Sequence, residues 1–569
     1  MANINLSEAH SVAELHSFGG INAQPGDHNG YVLSDIKNFR ITESGTLEKR
    51  SGFSELLKLP GIPRAIVAVS EDEMFVLIGG QIYRSSIISG DCVPLSTVYS
   101  STGDASFFKY GGDIFLLDGI ELYRFNGNIF TLVEGYVPLY HKEADVDSPA
   151  PVHEPLNLLS TRYRVSYKIG DRIPSEIALP FMAATVDCVT LNGALISDDG
   201  CCLDSEGNYL NVELLPLQPK DLIEFSLTLR EHHTSSAPLT SSTRAVPFGS
   251  AKNSHAESSV AFYGGNGGNT IFLTRPVDSV DYLKLQNVYD DLTTLYVSSD
   301  DMATLNGRIT AAAPYGSSLA VFLDGSAYLA EENSGLGVRV SCMSRAHGCS
   351  VKDGTITLES SPITMSDTGI YLWHPHTVYG GEYTAECISL PVRHLLPAHI
   401  QSGFIYYHRS KNEIWCQAGE DRILVRNTVT GNWYTYEGFF PRYIFELGGR
   451  TAFVTDNTLF GFSDTLVSDK NLPISASITS AFIPFGDINR KKRLARAILR
   501  CSSRSSFTLT VIDAEGKVTD TELTDMGDEV KGYVEKRLPA KRSRYYSFTL
   551  STRGYERATV NTLILTAVK

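Results

Sequence analysis

LAVFLDGSAYLAE (Leu319–Glu331) sets the fold: two short runs of aliphatic and aromatic residues flank Asp324–Gly325–Ser326. Runs of this length and composition read as strands. The central glycine tolerates the positive φ that hairpin turns matching strand twist require. The same unit recurs on both sides. Upstream are MFVLIGGQIYRSS (Met74–Ser86) and IFLLDGIELYRFNG (Ile114–Gly127). Downstream come IYLWHPHTVYGG (Ile370–Gly381), FIYYHRSKNEIWC (Phe404–Cys416), ILVRNTVTGNWYTY (Ile423–Tyr436) and TAFVTDNTLFGF (Thr451–Phe462). Hairpins repeated in this way, each half of a four-stranded blade, predict an all-β propeller that protects its edges by closing a ring. A pair of β-sandwiches is the competing arrangement, because it also uses short strands between frequent turns.

The repeat is interrupted once and ends before the chain does. Four regions are expected: an N-terminal segment with the first blades over 1–142, an insertion over 143–309, the remaining blades over 310–468, and a last domain over 469–569. The insertion begins at a Pro-rich linker, DVDSPAPVHEP. TRYRVSYKIGDRIPSEIALP (Thr161–Pro180) follows, two alternating strands around Gly170–Asp171. His232–Ser259, rich in Ser, Thr and Ala, reads as an extended or mobile loop. After Ser468 long apolar–polar alternation predicts a C-terminal β-sandwich.

A chain of 569 residues with 20% charged residues suits several globular domains. Its start lacks a basic segment followed by an apolar one, so no secretory signal is expected, and no run is long and apolar enough to span a membrane. Nine scattered cysteines without a C-x-x-C pair predict free thiols rather than disulfides or structural zinc. Net charge is −15, unevenly spread: residues 484–569 hold 17 Lys/Arg against 10 Asp/Glu, leaving 32 against 54 elsewhere. So acidic a body is a poor nucleic-acid binder, since phosphate contacts need cations. The basic end either docks on an acidic neighbour or is a solvated face.

Motifs for chemistry are weak, and no enzyme, cofactor or metal is expected. There is no phosphate-cradling G-x-x-x-x-G-K-[ST] and no G-x-S-x-G. Gly264–Gly268 precedes no helix pattern and reads as a turn, and Asp204–Asn208 lacks calcium-loop spacing. His374–Pro375–His376 reads as a hairpin tip without a third ligand, and His232–His233 falls in the Ser/Thr-rich loop. Ser366–Asp367–Thr368–Gly369 with Trp373 approaches a sialidase-type Asp-box but misses its spacing. Trp373, Trp415 and Trp433 are expected to pack between blades.

Four stretches, taken in order, resemble the propeller-based tail nozzle and hub proteins of short-tailed bacteriophages, also called tail tubular or DNA-stabilisation proteins. Ser17–Phe53 contains GGINAQ and then GTLEKRSGF, similar to their "G-G-[IV]-x-x-Q" and "G-x-L-x-K-R-x-G-F". YRVSYKIGDRIPSE (Tyr163–Glu176) is similar to the start of their inserted fibronectin-like domain. His347–Val392 resembles a late blade, and AFIPFGDINRKKRLARAIL (Ala481–Leu499) resembles the opening of their C-terminal domain.

The resemblance implies a β-propeller with an inserted fibronectin-like sandwich and a C-terminal β-sandwich. It also implies a homo-oligomeric ring of six copies below the portal and adaptor, beside tail fibre, spike or needle proteins. Such a ring forms and closes a channel for double-stranded DNA that is not bound sequence-specifically, and it is assembled into the virion in the bacterial cytoplasm. Asp290, Asp291, Asp300 and Asp301 are the candidates for an acidic channel wall, which would centre the duplex by repulsion. Arg490, Lys491, Lys492 and Arg493 are the candidates for an assembly contact. The competing functions are a receptor-binding or glycan-degrading tail protein and a non-viral propeller scaffold.

Overall fold

The computed structural model describes residues 10–15, 18–22, 33–133, 135–145, 154–230, 239–249, 259–265, 267–274, 295–333, 337–374, 383–400, 402–419, 422–485, 487–501, 506–523 and 533–568. Among these residues seven four-stranded antiparallel blades form a propeller, five as separate sheets and two continuous with a sheet of the last domain. Blades one and two span 65–97 and 106–132, and blades three, four and five span 244–304, 309–344 and 355–387. Blade six spans 403–436, and blade seven combines 443–463 with Gly52–Lys58. The first strands of successive blades lie side by side from one through six, and that of seven returns to that of one. Hence the ring is closed.

Strand alternation aims large side chains into the seams between blades. Phe75 meets Phe130 at 5.1 Å between blades one and two, and Phe108 meets Phe262 at 5.9 Å between two and three. Phe322 meets Trp373 at 5.3 Å between four and five, and Trp415 meets Phe462 at 5.5 Å between six and seven. All three tryptophans are buried, as expected of packing residues. Turn chemistry is local: Gly79 and Asp456 adopt φ of +55° and +52° at the tips of blade-one and blade-seven hairpins.

The ring is fastened by the N-terminal strand Gly52–Lys58, which pairs with Thr458–Ser463 as the fourth strand of blade seven. Phe53 anchors it, with Phe439, Phe453, Phe460 and Phe462 all between 5.0 and 5.8 Å, edge-on. Gly52 has no room for a side chain, because a Cβ there would sit 2.1 Å from the Ser468 carbonyl oxygen.

Between blades two and three the chain builds the inserted sandwich. One sheet holds five strands from Leu139–Asp145 to Leu222–Leu229, and the other holds Glu176–Ala178, Cys202–Leu203 and Tyr209–Asn211. Tyr163, Leu210, Phe225 and Leu227 fill the space between them. Arg162–Lys168 and Glu176–Ala178 therefore belong to different sheets, so the expected pair around Gly170–Asp171 is a crossover, not a hairpin.

The insertion is shorter than the 143–309 expected. Arg244–Phe248, Ser259–Tyr263, Thr270–Leu273 and Met302–Thr304 form blade three, and the first of these strands lies within the stretch read as a loop. That strand faces the propeller axis and carries few large apolar residues, which hid it.

The last domain also recruits the N-terminus. One of its sheets contains Lys492–Cys501, Val534–Arg537, Arg542–Ser543 and Thr559–Val568 together with His10–Leu15, Phe39–Ile41 and Leu47–Lys49. The other pairs Leu33–Lys37 with Leu472–Ser480, followed by Tyr546–Gly554, Phe507–Asp513 and Val518–Leu523. The two sheets enclose Leu494, Leu499, Leu550 and Leu563. His10–Leu15, Leu33–Lys37, Phe39–Ile41 and Leu47–Lys49 thus complete the C-terminal sandwich rather than opening the propeller, which corrects the 1–142 grouping.

Candidate functional site: the propeller axis and the basic sheet

A cavity of about 320 Å³ lies where first strands converge, lined by residues of every blade but the sixth. It is crossed by charge. Arg244 on blade three reaches Asp353, at the start of blade five, with Nε 2.8 and 2.7 Å from its two carboxylate oxygens. Arg244 also donates to the Ala105 carbonyl ahead of blade two at 3.3 Å. Lys352 and Asp104 form a second ion pair between blades five and two. Burial opposes the Arg244 charge, but the Asp353 carboxylate outweighs it and raises the guanidinium pKa. The hydrogen bond from Lys352 holds Asp104 below the usual carboxylate range. The propeller's own bore is therefore bridged between non-adjacent blades.

The four acidic candidates separate. Asp290 and Asp291 lie outside the described residues. Asp300 is exposed, beside Gly337, where the outer strands of blades three and four meet at the rim of the wheel. Asp301 is a correction: it is 6% exposed, and its Oδ2 accepts from the Ser298 amide at 2.8 Å and hydroxyl at 2.7 Å. A short turn consumes that carboxylate, so it lines no channel.

The basic run separates as well. Arg490 pairs with Asp487 at 3.4 Å, and Lys491 reaches Glu515 at 3.5 Å, both exposed. Lys492 is the second correction. It is buried, donating to the Pro484 carbonyl at 2.6 Å and to that of Asp487, and burial lowers its pKa. It folds the turn before its strand and is no contact residue. Arg493 is exposed on the sheet face.

The densest buried chemistry joins the N-terminal segment to blade six and the last domain. Glu413, fully buried, accepts from Trp415 Nε1 and Tyr434 Oη at 2.9 Å each. Arg40 Nε lies 3.2 Å from its Oε1 as an ion pair rather than an aligned hydrogen bond. Burial, then the Glu413 charge, raises the Tyr434 and Tyr436 hydroxyls well above their ordinary pKa. Arg50 donates to Asn38 at 2.8 Å and to Asp469, and Lys49 to the Gly554 carbonyl at 2.8 Å. The residues of the KRSGF stretch (Lys49–Phe53) are therefore joints of the architecture. Their roles were not legible individually, because Asp464, Asp469 and Gly554, the partners of Ser51, Arg50 and Lys49, lie hundreds of positions away.

The remaining motifs are turns. Asp204 Oδ1 accepts from the Asn208 and Tyr209 amides at 2.6 and 2.9 Å, and Gly264–Gly268 connects two strands of blade three. Asp367 holds the Ile400 amide at 2.7 Å, next to the turn between two strands of blade five. His374 meets Glu386 at 2.7 Å, whereas His232, His233 and His376 lie outside the described residues. No group of three or more potential metal ligands occurs among the described residues. Nor is any described helix long and apolar enough to cross a membrane.

No family model matches the chain, and no curated protein matches it. Among solved structures it is similar to the AfRom2 CNH domain, with a TM-score of 0.37 and 8% identity over 72% of this chain and 99% of that one. It is similar to a chain of the mitotic checkpoint complex, with a TM-score of 0.35 and 9% identity over 78% and 95%. It is also similar to YCF48 bound to D1 peptide, with a TM-score of 0.34 and 8% identity over 73% and 96%. Likenesses this distant carry no argument about function. The strand pairing itself defines an all-β propeller with an inserted and a C-terminal sandwich.

Proposed function

We propose that the chain is a structural protein of the tail of a short-tailed bacteriophage, the nozzle or hub ring below the portal and adaptor. Six copies surround the DNA, close the channel after packaging and open it for ejection. The observation that carries this reading is the chain order: propeller, insertion after the second blade, return to the propeller, then a sandwich completed by the N-terminus. It agrees with the architecture that four ordered motif stretches imply. The bridged bore supports a ring, since a lone wheel offers no open passage. The balance of 32 Lys/Arg against 54 Asp/Glu outside 484–569 suits a wall that repels the duplex and lets it slide.

Electron microscopy of intact particles tests it. The expected result is a ring of this chain around duplex density beneath the portal. Finding the chain in host-cell complexes and absent from virions would overturn the reading.

A further inference from the structure

Strand register concentrates positive charge in a way the linear sequence does not show. Arg496 stands directly opposite Arg537, and Arg493 directly opposite Arg542, on neighbouring strands of the C-terminal sandwich. All four are exposed, as is Arg500 farther along the same strand. Like charges directly opposite on one face are mutually destabilising. Glu535 reaches Arg496 at 3.1 Å, but between groups roughly half exposed, where an ion pair contributes little. Such a face favours a partner rich in carboxylates, because arginine forks match them in two-point contacts.

We propose that this arginine face binds the inserted sandwich of a second copy. Residues 154–230 hold 11 Asp/Glu against 6 Lys/Arg. At one end of that domain Asp198, Asp199 and Glu213 are exposed beside Leu195 and Leu214, which are 73% and 80% exposed. The two segments are adjacent: a Cβ at Gly200 would sit 2.7 Å from the Leu215 side chain and 3.2 Å from the Leu214 carbonyl oxygen. On the other surface Phe482 and Ile488, 55% and 52% exposed, lead into the basic strand. Apolar groups with a charged rim on both sides have the anatomy of a protein interface. Because the two patches differ, the contact is head-to-tail, which generates rings when the rotation closes. The inference rests on the ring reading above and names the contact that joins its subunits.

The test uses full-length chains and measures mass distribution at low and high salt. Wild type should associate at low salt and dissociate as salt rises. R493E/R496E/R537E and D198K/D199K/E213K should each weaken association about tenfold or more. Mixing the two should restore both contacts, wild-type patch on wild-type face and reversed patch on reversed face, and give larger assemblies in which the variants alternate. Combining all six substitutions in one chain should restore larger assemblies. R493Q/R496Q/R537Q serves as the milder variant if charge reversal prevents folding. A wild-type chain that stays monomeric, variants that associate like wild type, or a monomer whose arginine face binds duplex oligonucleotide instead would each overturn it. Virion rings indifferent to these substitutions would sink this contact alone. Association through this face by a chain absent from virions would sink the nozzle reading alone.

Discussion

Asp469 Oδ1 accepts a hydrogen bond from Arg50 Nη1 at 2.9 Å, although 419 positions separate them in the chain. The Arg50 side chain is 2% exposed and that of Asp469 16%. Removing one partner of a buried pair leaves a charge that cannot reach water, a loss of about 3–5 kcal/mol. Asp469→Ala should therefore shift the urea midpoint down sharply. A loss below about 1 kcal/mol would mean that Asn38 and the Glu437 carbonyl suffice for Arg50.

Phe53 fastens the ring, so Phe53→Ala removes one ring from a cluster of five phenylalanines. The expected cost is about 3–5 kcal/mol. Proteolysis should become faster in blade seven before it does in blade four. Equal protection of the two blades would refute the fastening role.

Acid should act first at His408. Burial lowers its pKa in the fold, outweighing the attraction of Glu413, so the folded state keeps it neutral. The unfolded chain binds a proton near pH ~6.5, and stability therefore falls as pH drops from about 6.5 towards the folded value. Asp464 works lower down. Its hydrogen bonds from Lys411 and Ser51 bring it to about 2, so its contribution holds until pH passes below about 3.8. Thermal unfolding between pH 7 and 5 should be flatter for His408→Gln than for wild type. Identical slopes would exclude His408 as the source.

Burial pushes the Cys349 and Cys416 thiols up to about 12, whereas Cys202 and Cys342 are exposed. Since the thiolate is the reactive form, an alkylating reagent at pH 8 should modify Cys202 and Cys342 in the native chain. Cys349 and Cys416 should react only on unfolding. Mass spectrometry of the labelled peptides decides.

The axial bridge is partly solvated, with Arg244 17% and Asp353 44% exposed. Breaking it by Asp353→Ala should cost only about 1 kcal/mol. On the ring reading genome release should be unchanged, because DNA does not use this bore. Slowed ejection in particles carrying the variant would place the duplex path through the wheel itself.

Short-range chemistry was legible in the sequence. Six of the seven quoted hairpins correspond to observed strand pairs, since each is written in a turn residue between two apolar runs. The seventh, Ile370–Gly381, supplies one strand of blade five and then runs outside the described residues. Phe404–Cys416 and Ile423–Tyr436 proved to share blade six, while blade three went unseen. Its first and last strands are set apart by the long stretches 249–258 and 274–301, so only Ser259–Tyr263 and Thr270–Leu273 flank a short glycine-rich turn.

Local pattern by itself determined that the chain is all-β, repeated, and interrupted by a second domain, because alternation and turn residues act over a few positions. Tertiary structure alone decided where the strands from His10–Leu15 to Gly52–Lys58 belong, which basic residues share a face, and that Asp301 and Lys492 are consumed inside the fold. Those outcomes depend on strand register and burial between segments far apart in the chain. Neither quantity is encoded in any short stretch of residues.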